Sequence, residues 1–382
     1  MILSDELLTG IHESLREEPG EIDARRIARV AHSHGLILDR ASLLDLTDQV
    51  RHHLEGLGPL HDLATDGVSD ILVNPDGSVW IDSLNGLERT SLTLSAHDAR
   101  ALATRLASLG NRRLDDAMPW ADAQLPGNLR FHGMLPPLSV GGASISLRRA
   151  ATLPYCLDDL ENSGTLTATG RALVDAIIRA RLSFLVSGGT GSGKTTLLGA
   201  MLGAVDPRER IIIVEDSTEL RPAHPHVVHL QARHANAEGM GEISLATLIR
   251  QCLRMRPDRI IVGECRGADI RELLQALNTG HEGGCGTLHA NTAADVPARL
   301  EALGALAGLD PLALASQALS AITVVLHMHR SREGRALSTI SLLQRGKDGR
   351  LECVPAVSFG TRERRFPAFD ALEARLEHGG AR

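Results

Sequence analysis

The sequence predicts an α/β protein: a C-terminal domain on a mostly parallel sheet, preceded by an α+β domain and N-terminal helices. Three observations predict it. Beyond about residue 165, short continuous apolar stretches (LSFLVSG, RIIIVED, RIIVGE, GTLHA and AITVVLHM) alternate with helical patterns, as strands buried on both faces of a parallel sheet do. Earlier, DILVNPDGSVWIDSLNGLERTSLTL reads as strand, Pro-Asp-Gly turn, strand, Asn-Gly turn, strand. Ahead of both, apolar residues fall at helical spacing in DELLTGIHESL, ARRIARVAHSHG and ASLLDLTDQVRHHLEGL.

Taken in order, residues 1–55 form a helical extension and residues 56–150 the α+β domain. In the latter the three strands precede a helix in HDARALATRLASLG, and Pro/Gly-rich, irregular sequence runs on to SISLRR. ATLPYCLDDLENSGTLT has turn chemistry, which places a linker over 151–165. Residues 166–360 form the parallel-sheet domain, and 361–382 an Arg- and Glu-rich tail expected to be a solvated helix or partly disordered.

Composition narrows the function. Of 382 residues, 43% are hydrophobic and 23% charged, the profile of a globular protein. No apolar run approaches the roughly 20 residues that span a bilayer, and the acidic, amphipathic start lacks the pattern of a signal peptide. These features predict a cytosolic chain that meets a membrane only through partners. Five scattered cysteines without a CxxC pair argue against a disulfide framework or zinc knuckle. A net charge of −7 and 2% aromatics argue against a broad nucleic-acid surface. Only two lysines occur, Lys194 and Lys347, among 40 basic residues. A lysine kept against that bias suggests a task arginine cannot perform.

Lys194 lies in GGTGSGKTTLLGAML, which follows the strand ending at Ser187. Gly188, Gly193, Lys194 and Thr195 satisfy G-x-x-x-x-G-K-[ST] in a strand–loop–helix context. Such a loop, here Gly188, Gly189, Thr190, Gly191, Ser192 and Gly193 running into Lys194, Thr195 and Thr196, turns successive amides toward phosphate oxygens. The lysine reaches the β- and γ-phosphates and the Thr195 hydroxyl ligates Mg²⁺. A plain glycine turn matches this pattern by chance only about a few times in a thousand, so the chain is expected to bind a nucleoside triphosphate with Mg²⁺.

Two further strands end in carboxylates. RIIIVEDSTELR places Glu215, Asp216 and Glu219 past one buried strand, and RPDRIIVGECRG places Glu264 past another, after Pro257 breaks a helix. Ligands in such sheets lie beyond the carboxyl ends of strands, where one carboxylate can hold Mg²⁺ through water and another activate the attacking water. Acidic residues also commonly begin solvated loops; the neighbouring phosphate loop favours the catalytic reading. Glu219 is assigned as general base, Glu264 as the magnesium-side carboxylate and Glu215 as a nucleotide contact, with Asp216 orienting the loop.

GGTGSGKTTLL, VEDSTEL, LRMRPDRIIVGECRG and LNTGHEGGCGTLHANT follow one another in the order of the Walker A, Asp box, Walker B and His box of type II/type IV secretion ATPases. GLGPLHDLATDGVSDILVNPDGSVWID and LRFHGMLPPLSVGGASISLRR also resemble N-terminal segments of that superfamily, over roughly residues 55–330. The Tad/Flp pilus assembly ATPases and their conjugation-associated relatives are the most similar subgroup. The resemblance implies a RecA-like motor domain, a PAS-like N-terminal domain, a homohexameric ring and polytopic membrane-platform partners. It places Glu215 and Glu219 in the Asp box, Glu264 in Walker B and His289 in the His box. Arg130, Arg148 and Arg149 fall where relatives supply arginines to the phosphates. The chain lacks the four-cysteine zinc module of the type II branch, and His132 has no counterpart that explains it. Arg254, Arg256 and Arg266 bracket Walker B and suit a neighbouring site or an interface.

His281, Cys285 and His289 recur every fourth residue, a zinc-like spacing if helical. Gly280, Gly283, Gly284 and Gly286 oppose a helix, at about 1 kcal/mol each, so His281 and Cys285 read as structural. GTLHAN instead reads as a strand delivering His289 to the nucleotide. The leading expectation is an ATP-hydrolysing motor for pilus assembly or secretion. The alternatives are a RecA-like nucleic-acid translocase or helicase and a nucleotide-binding regulator without turnover.

Overall fold

The computed structural model describes residues 24–379 except 34, 37, 66, 84–85, 128, 150–153, 234–239, 281, 332–333 and 361. The chain divides into two compact units, Met1–Thr152 and Leu153–Arg382.

In the first unit, α1 (Ala24–Ser33) and α2 (Arg40–Glu55) bury Ile27, Val30 and Ala31 against Leu46 and Val50. A 3-10 turn over Gly58–Leu63 follows. The sheet comprises β1 (Val68–Val73), β2 (Ser78–Ser83), β3 (Gly86–Thr93), β4 (Trp120–Leu125), β5 (Leu129–Met134) and β6 (Ser144–Arg149). Its order is β3-β2-β1-β6-β5-β4, antiparallel throughout. Helix α3 (Ala96–Leu109) starts at Ser95, whose hydroxyl accepts from Asp98 N–H. Its Ala99, Leu102, Ala103 and Leu106 pack on Ile71, Val73, Phe131, Ile145 and Leu147. The segment expected to be irregular holds the β4–β5 hairpin, closed by Pro126 and Gly127. His132 sits opposite Asp122 in that hairpin, 3.0 Å from Oδ1, which gives it a structural partner.

The second unit opens with α4 (Leu157–Asn162), where a loop was expected, and α5 (Ala168–Arg179). Leu157 and Leu160 of α4 join the core, and Asp159 receives the Cys156 N–H at 2.8 Å. Short apolar spacing in LDDL is enough once a capping carboxylate starts the turn. The sheet then assembles from β7 (Phe184–Gly188), β8 (Ile211–Glu215), β9 (Val227–Gln231), β10 (Arg259–Val262), β11 (Cys285–His289), β12 (Val324–Arg330), β13 (Arg335–Arg345), β14 (Leu351–Ser358) and β15 (Arg364–Arg365). Its order is β15-β14-β13-β12-β7-β11-β10-β8-β9. From β12 to β9 all pairings are parallel, and β13, β14 and β15 extend the sheet antiparallel.

Alternate strand residues enter opposite cores, which is why the strands are apolar at every position. Phe184, Val186, Ile211, Ile213 and Ile261 face α4, α5 and α6 (Lys194–Gly203). Leu185, Ile212, Val214, Ile260 and Val262 face α7 (Leu245–Cys252), α8 (Ile270–Leu277), α9 (Val296–Leu306) and α10 (Pro311–Ala321). Helix α11 (Ala368–Gly379) corrects the expectation of a solvated tail. Its Phe369 and Leu372 are buried in the first of these cores, and Arg365 lies 4.2 Å from the Phe369 ring centroid. Phe369, Leu372 and the partly buried Leu376 fall at helical spacing and dock it, despite the charged residues interspersed along the helix.

No single helix among the described residues is long and apolar enough to cross a membrane. Residues Ala293–Leu306 and Pro311–Ala321 reach the required composition together but meet at 116°, and Leu300, Leu303, Leu314 and Ala318 lie in the second core.

Candidate functional site

Parallel register sets the C-terminal rim of the sheet. Gly188, the last residue of β7, pairs with His289 of β11 on one side and Met328 of β12 on the other. Glu215 ends β8, and the chain leaving Val262 of β10, which is level with Val214, reaches Glu264 two residues later. The glycine-rich loop, both carboxylate segments and the histidine therefore share one edge.

The loop from Gly188 to Gly193 enters α6 through Gly193, whose φ of 93° lies in the left-handed region that favours glycine. Lys194 is the first helical residue and is 8% exposed. Its Nζ donates to the carbonyls of Gly188 at 3.0 Å and Gly189 at 2.7 Å. Burial lowers its pKa, and the Glu264 and Glu219 carboxylates oppose that shift, so both acids act on the ammonium. Thr195 and Thr196 follow on the first turn, half-buried. Beneath the loop, Ser187 Oγ and His327 Nδ1 are 2.9 Å apart, both buried. His327 is a brace that strand pattern alone did not reveal.

The two carboxylate strands behave differently. Glu215 is buried, and its Oε1 accepts the N–H groups of Glu219 at 3.2 Å and Leu220 at 3.0 Å. It thus fixes the turn that carries Glu219, which is exposed past the rim. Burial pushes the Glu215 carboxyl from 4.5 up to about 7. Between those values the native state holds a proton that the unfolded chain has lost, so stability falls as pH rises through the interval. Glu215→Gln keeps the accepting oxygen and removes the penalty. Its melting temperature is expected to exceed the parent's at pH 8, reflecting up to about 3 kcal/mol, and to match it near pH 5. An equal change at both pH values would rule this account out.

Glu264 is held from two sides: His289 Nε2 lies 2.6 Å from Oε1 and Arg266 Nε 2.7 Å from Oε2. Burial, then the nearby Lys194 charge, lowers the His289 pKa, so a neutral ring donates Nε2–H to the carboxylate. Of the arginines bracketing this strand, Arg266 alone touches Glu264. Arg254 donates to Arg250 O at 3.1 Å, and Arg256 turns with φ 54° before Pro257, both ahead of β10. Asp216 raises the pKa of Asp269, which is itself raised first by burial. Asp269 accepts Gly267 N–H at 2.9 Å; its contribution to the rim becomes visible only when β8 and β10 are paired.

β11 also decides the fate of the zinc-like spacing. It runs from Cys285 to His289 as a strand, about 13 Å long, so the two residues stand at opposite ends. Cys285 is fully buried in the core, and burial pushes its thiol up to about 12. His281 lies outside the described residues. No cluster of three or more His, Cys, Asp or Glu suited to a metal occurs among the described residues. At the foot of the strand Gly283 packs on the buried Arg259 guanidinium, where a Cβ would come within 2.7 Å of Nη1. Arg259 Nε in turn donates to Glu209 at 2.8 Å.

In the first unit Arg130 and Arg148 are opposite one another on β5 and β6, and Asp70 of β1 continues the row. Arg148 Nε donates to Asp70 Oδ1 at 2.9 Å, and Arg149 donates to the Ala64 carbonyl.

The profile of the family described as Type II/IV secretion system protein matches residues 53–343. The chain belongs to that family. Among its relatives, a putative conjugal transfer protein of Mycobacterium tuberculosis is 52% identical over 310 residues, covering 79% of this chain and 88% of that protein. The probable conjugal transfer protein TrbB of Sinorhizobium fredii is 34% identical over 310 residues, covering 79% and 92%. The pilus retraction motor PilT, solved with bound ADP, resembles the chain in fold with a TM-score of 0.52 and 20% identity, covering 82% and 84%. The family membership expected from four ordered motifs thus holds, and the mixed α/β fold is that of its structural neighbours.

Proposed function

We propose that this secretion-family chain is a Mg²⁺-dependent ATPase motor that drives pilus assembly, conjugal transfer or protein secretion through a membrane platform. One observation carries the reading: Lys194, Glu219 and the Glu264–His289 pair converge on the C-terminal rim beside Gly188–Gly193. The amides of Gly189, Thr190, Gly191, Ser192, Gly193 and Lys194 would cradle the phosphates, and Lys194 would exchange two loop carbonyls for phosphate oxygens. Thr195 and Glu264, an oxygen donor set at one rim, suit Mg²⁺, which supplies charge neutralisation when bound. Glu219, exposed on a turn held by Glu215, is placed to take the proton of the attacking water. His289, neutral and tied to Glu264, senses whether that carboxylate is engaged by the substrate.

In this reading the second unit is a RecA-like motor and the first a PAS-like domain that supplies Arg130 and Arg148 to the phosphates, with Arg149 beside them. Closure of one on the other, in a ring of six chains, turns hydrolysis into motion. The chain works at the inner face of the cell membrane against polytopic platform proteins, without binding nucleic acid itself. The family match and the conjugal transfer relatives support this placement. Purified protein is expected to release phosphate from ATP with Mg²⁺ and to stop when the metal is chelated. No release above the blank in the hexameric fraction would refute the motor, and stimulation by DNA alone would favour a translocase.

A further inference from the structure

Strand β12 runs past the phosphate loop and returns as β13. Met328 is level with Gly188, so His329 and Arg330 project beyond the rim beside the loop. At the turn, Arg330 and Arg335 are direct cross-strand partners. Like charges facing each other in an antiparallel pair are destabilising. Elsewhere such an arrangement is compensated: the Arg130–Arg148 pair has Asp70 in the same row. Neither Arg330 nor Arg335 forms an ion pair with a carboxylate among the described residues.

Both side chains instead lie against the phosphate loop. A Cβ at Gly191 would come within 3.0 Å of Arg330 Nη1, and one at Gly193 within 3.3 Å of Arg335 Cδ. Both residues are exposed, so the guanidiniums remain open to a ligand on the loop. The lack of side chains at Gly191 and Gly193 leaves room for this approach.

We infer that Arg330 and Arg335 form a second phosphate clamp, supplied by the same domain as the loop, which closes on the polyphosphate of the bound nucleotide. This rests on the nucleotide reading of the Gly188–Thr195 loop. An anion between the two guanidiniums removes their mutual repulsion, and each planar fork offers two donors to phosphate oxygens. The arrangement complements Lys194, which reaches the phosphates from the helix side. It also gives the nucleotide a contact that does not depend on the first unit.

The test is calorimetric titration of the full-length protein with ADP and, separately, with inorganic pyrophosphate, at low salt. Parent protein that binds neither ligand would overturn the nucleotide reading itself. With binding established, Arg330→Ala and Arg335→Ala are each expected to weaken both ligands by about tenfold, and Arg330→Lys by less. Affinity within twofold of the parent, or a loss confined to ADP with pyrophosphate unchanged, would overturn the phosphate clamp. A purely structural role is separated by melting without ligand. Relief of repulsion is expected to leave the melting temperature of either alanine variant equal to the parent's or above it, and a clear fall in both would count against the clamp.

Discussion

Replacing Lys194 by alanine is expected to lower ATP affinity by at least about a hundredfold and to abolish turnover. The ammonium is the one buried cation of the phosphate loop among the described residues, at 8% exposure. Charge-assisted hydrogen bonds to phosphate in such a setting are the strong ones. Alanine is a good first-turn helix residue, so α6 should form and the loss should be one of binding. Lys194→Arg is expected to fail as well. The ammonium fits between carbonyls at 3.0 and 2.7 Å, and a planar fork cannot replace a compact charge there. Titration with a fluorescent nucleotide, alongside a melting curve, checks both variants. Near-parental affinity in Lys194→Ala would remove the loop from the binding site.

The second large effect is expected at Glu219. Glu219→Gln should bind ATP within about threefold of the parent while hydrolysis falls by two to four orders of magnitude, the usual contribution of a positioned base (~10²–10⁴). The split follows from the geometry. Glu219 stands exposed at the rim, and its backbone N–H donates to Glu215. An amide keeps that backbone contact, so the turn stays in place while the proton acceptor is lost. Single-turnover phosphate release measures it. Hydrolysis at the parental rate would move the base to another carboxylate, with Glu264, in contact with His289 and Arg266, the next candidate.

Much of this arrangement was legible because its signals are local. Five apolar stretches became β7, β8, β10, β11 and β12, and the glycine-rich turn at 188–193 runs from strand into helix where its spacing placed it. The elements that escaped notice are those whose stabilisation is not local. In the β4–β5 hairpin, Ala121 and Ala123 face the core but alternate with Asp122 and Gln124, and Pro126 and Gly127 make the turn resemble irregular sequence. Pro355 sits inside β14, where proline normally argues against a strand. It is tolerated because the β13 register shifts between Ile340 and Ser341, opposite it. The helix expected in the tail is buried rather than solvated, because Phe369 and Leu372 of α11, with Ala368 and Leu376 beside them, pack on the core from a heavily charged segment. At the rim, Asp269, His327, Arg330 and Arg335 acquire meaning only from pairings between distant strands.

β11 is bolted at both ends by charge. Gly283, just before it, rests on an arginine held by Glu209, and His289 at its tip grips Glu264. Between those anchorages it is laddered to β7 and β10, so it can neither stretch nor slide without breaking hydrogen bonds on both sides. A change of charge at Glu264 therefore meets a backbone that does not yield. The travel has to come from rotations of His289, Arg266 and the side chains around them. The rim resembles a set of levers mounted on a fixed plate, and on the proposed function a nucleotide's state would be read by a few torsion angles rather than by movement of the floor beneath them.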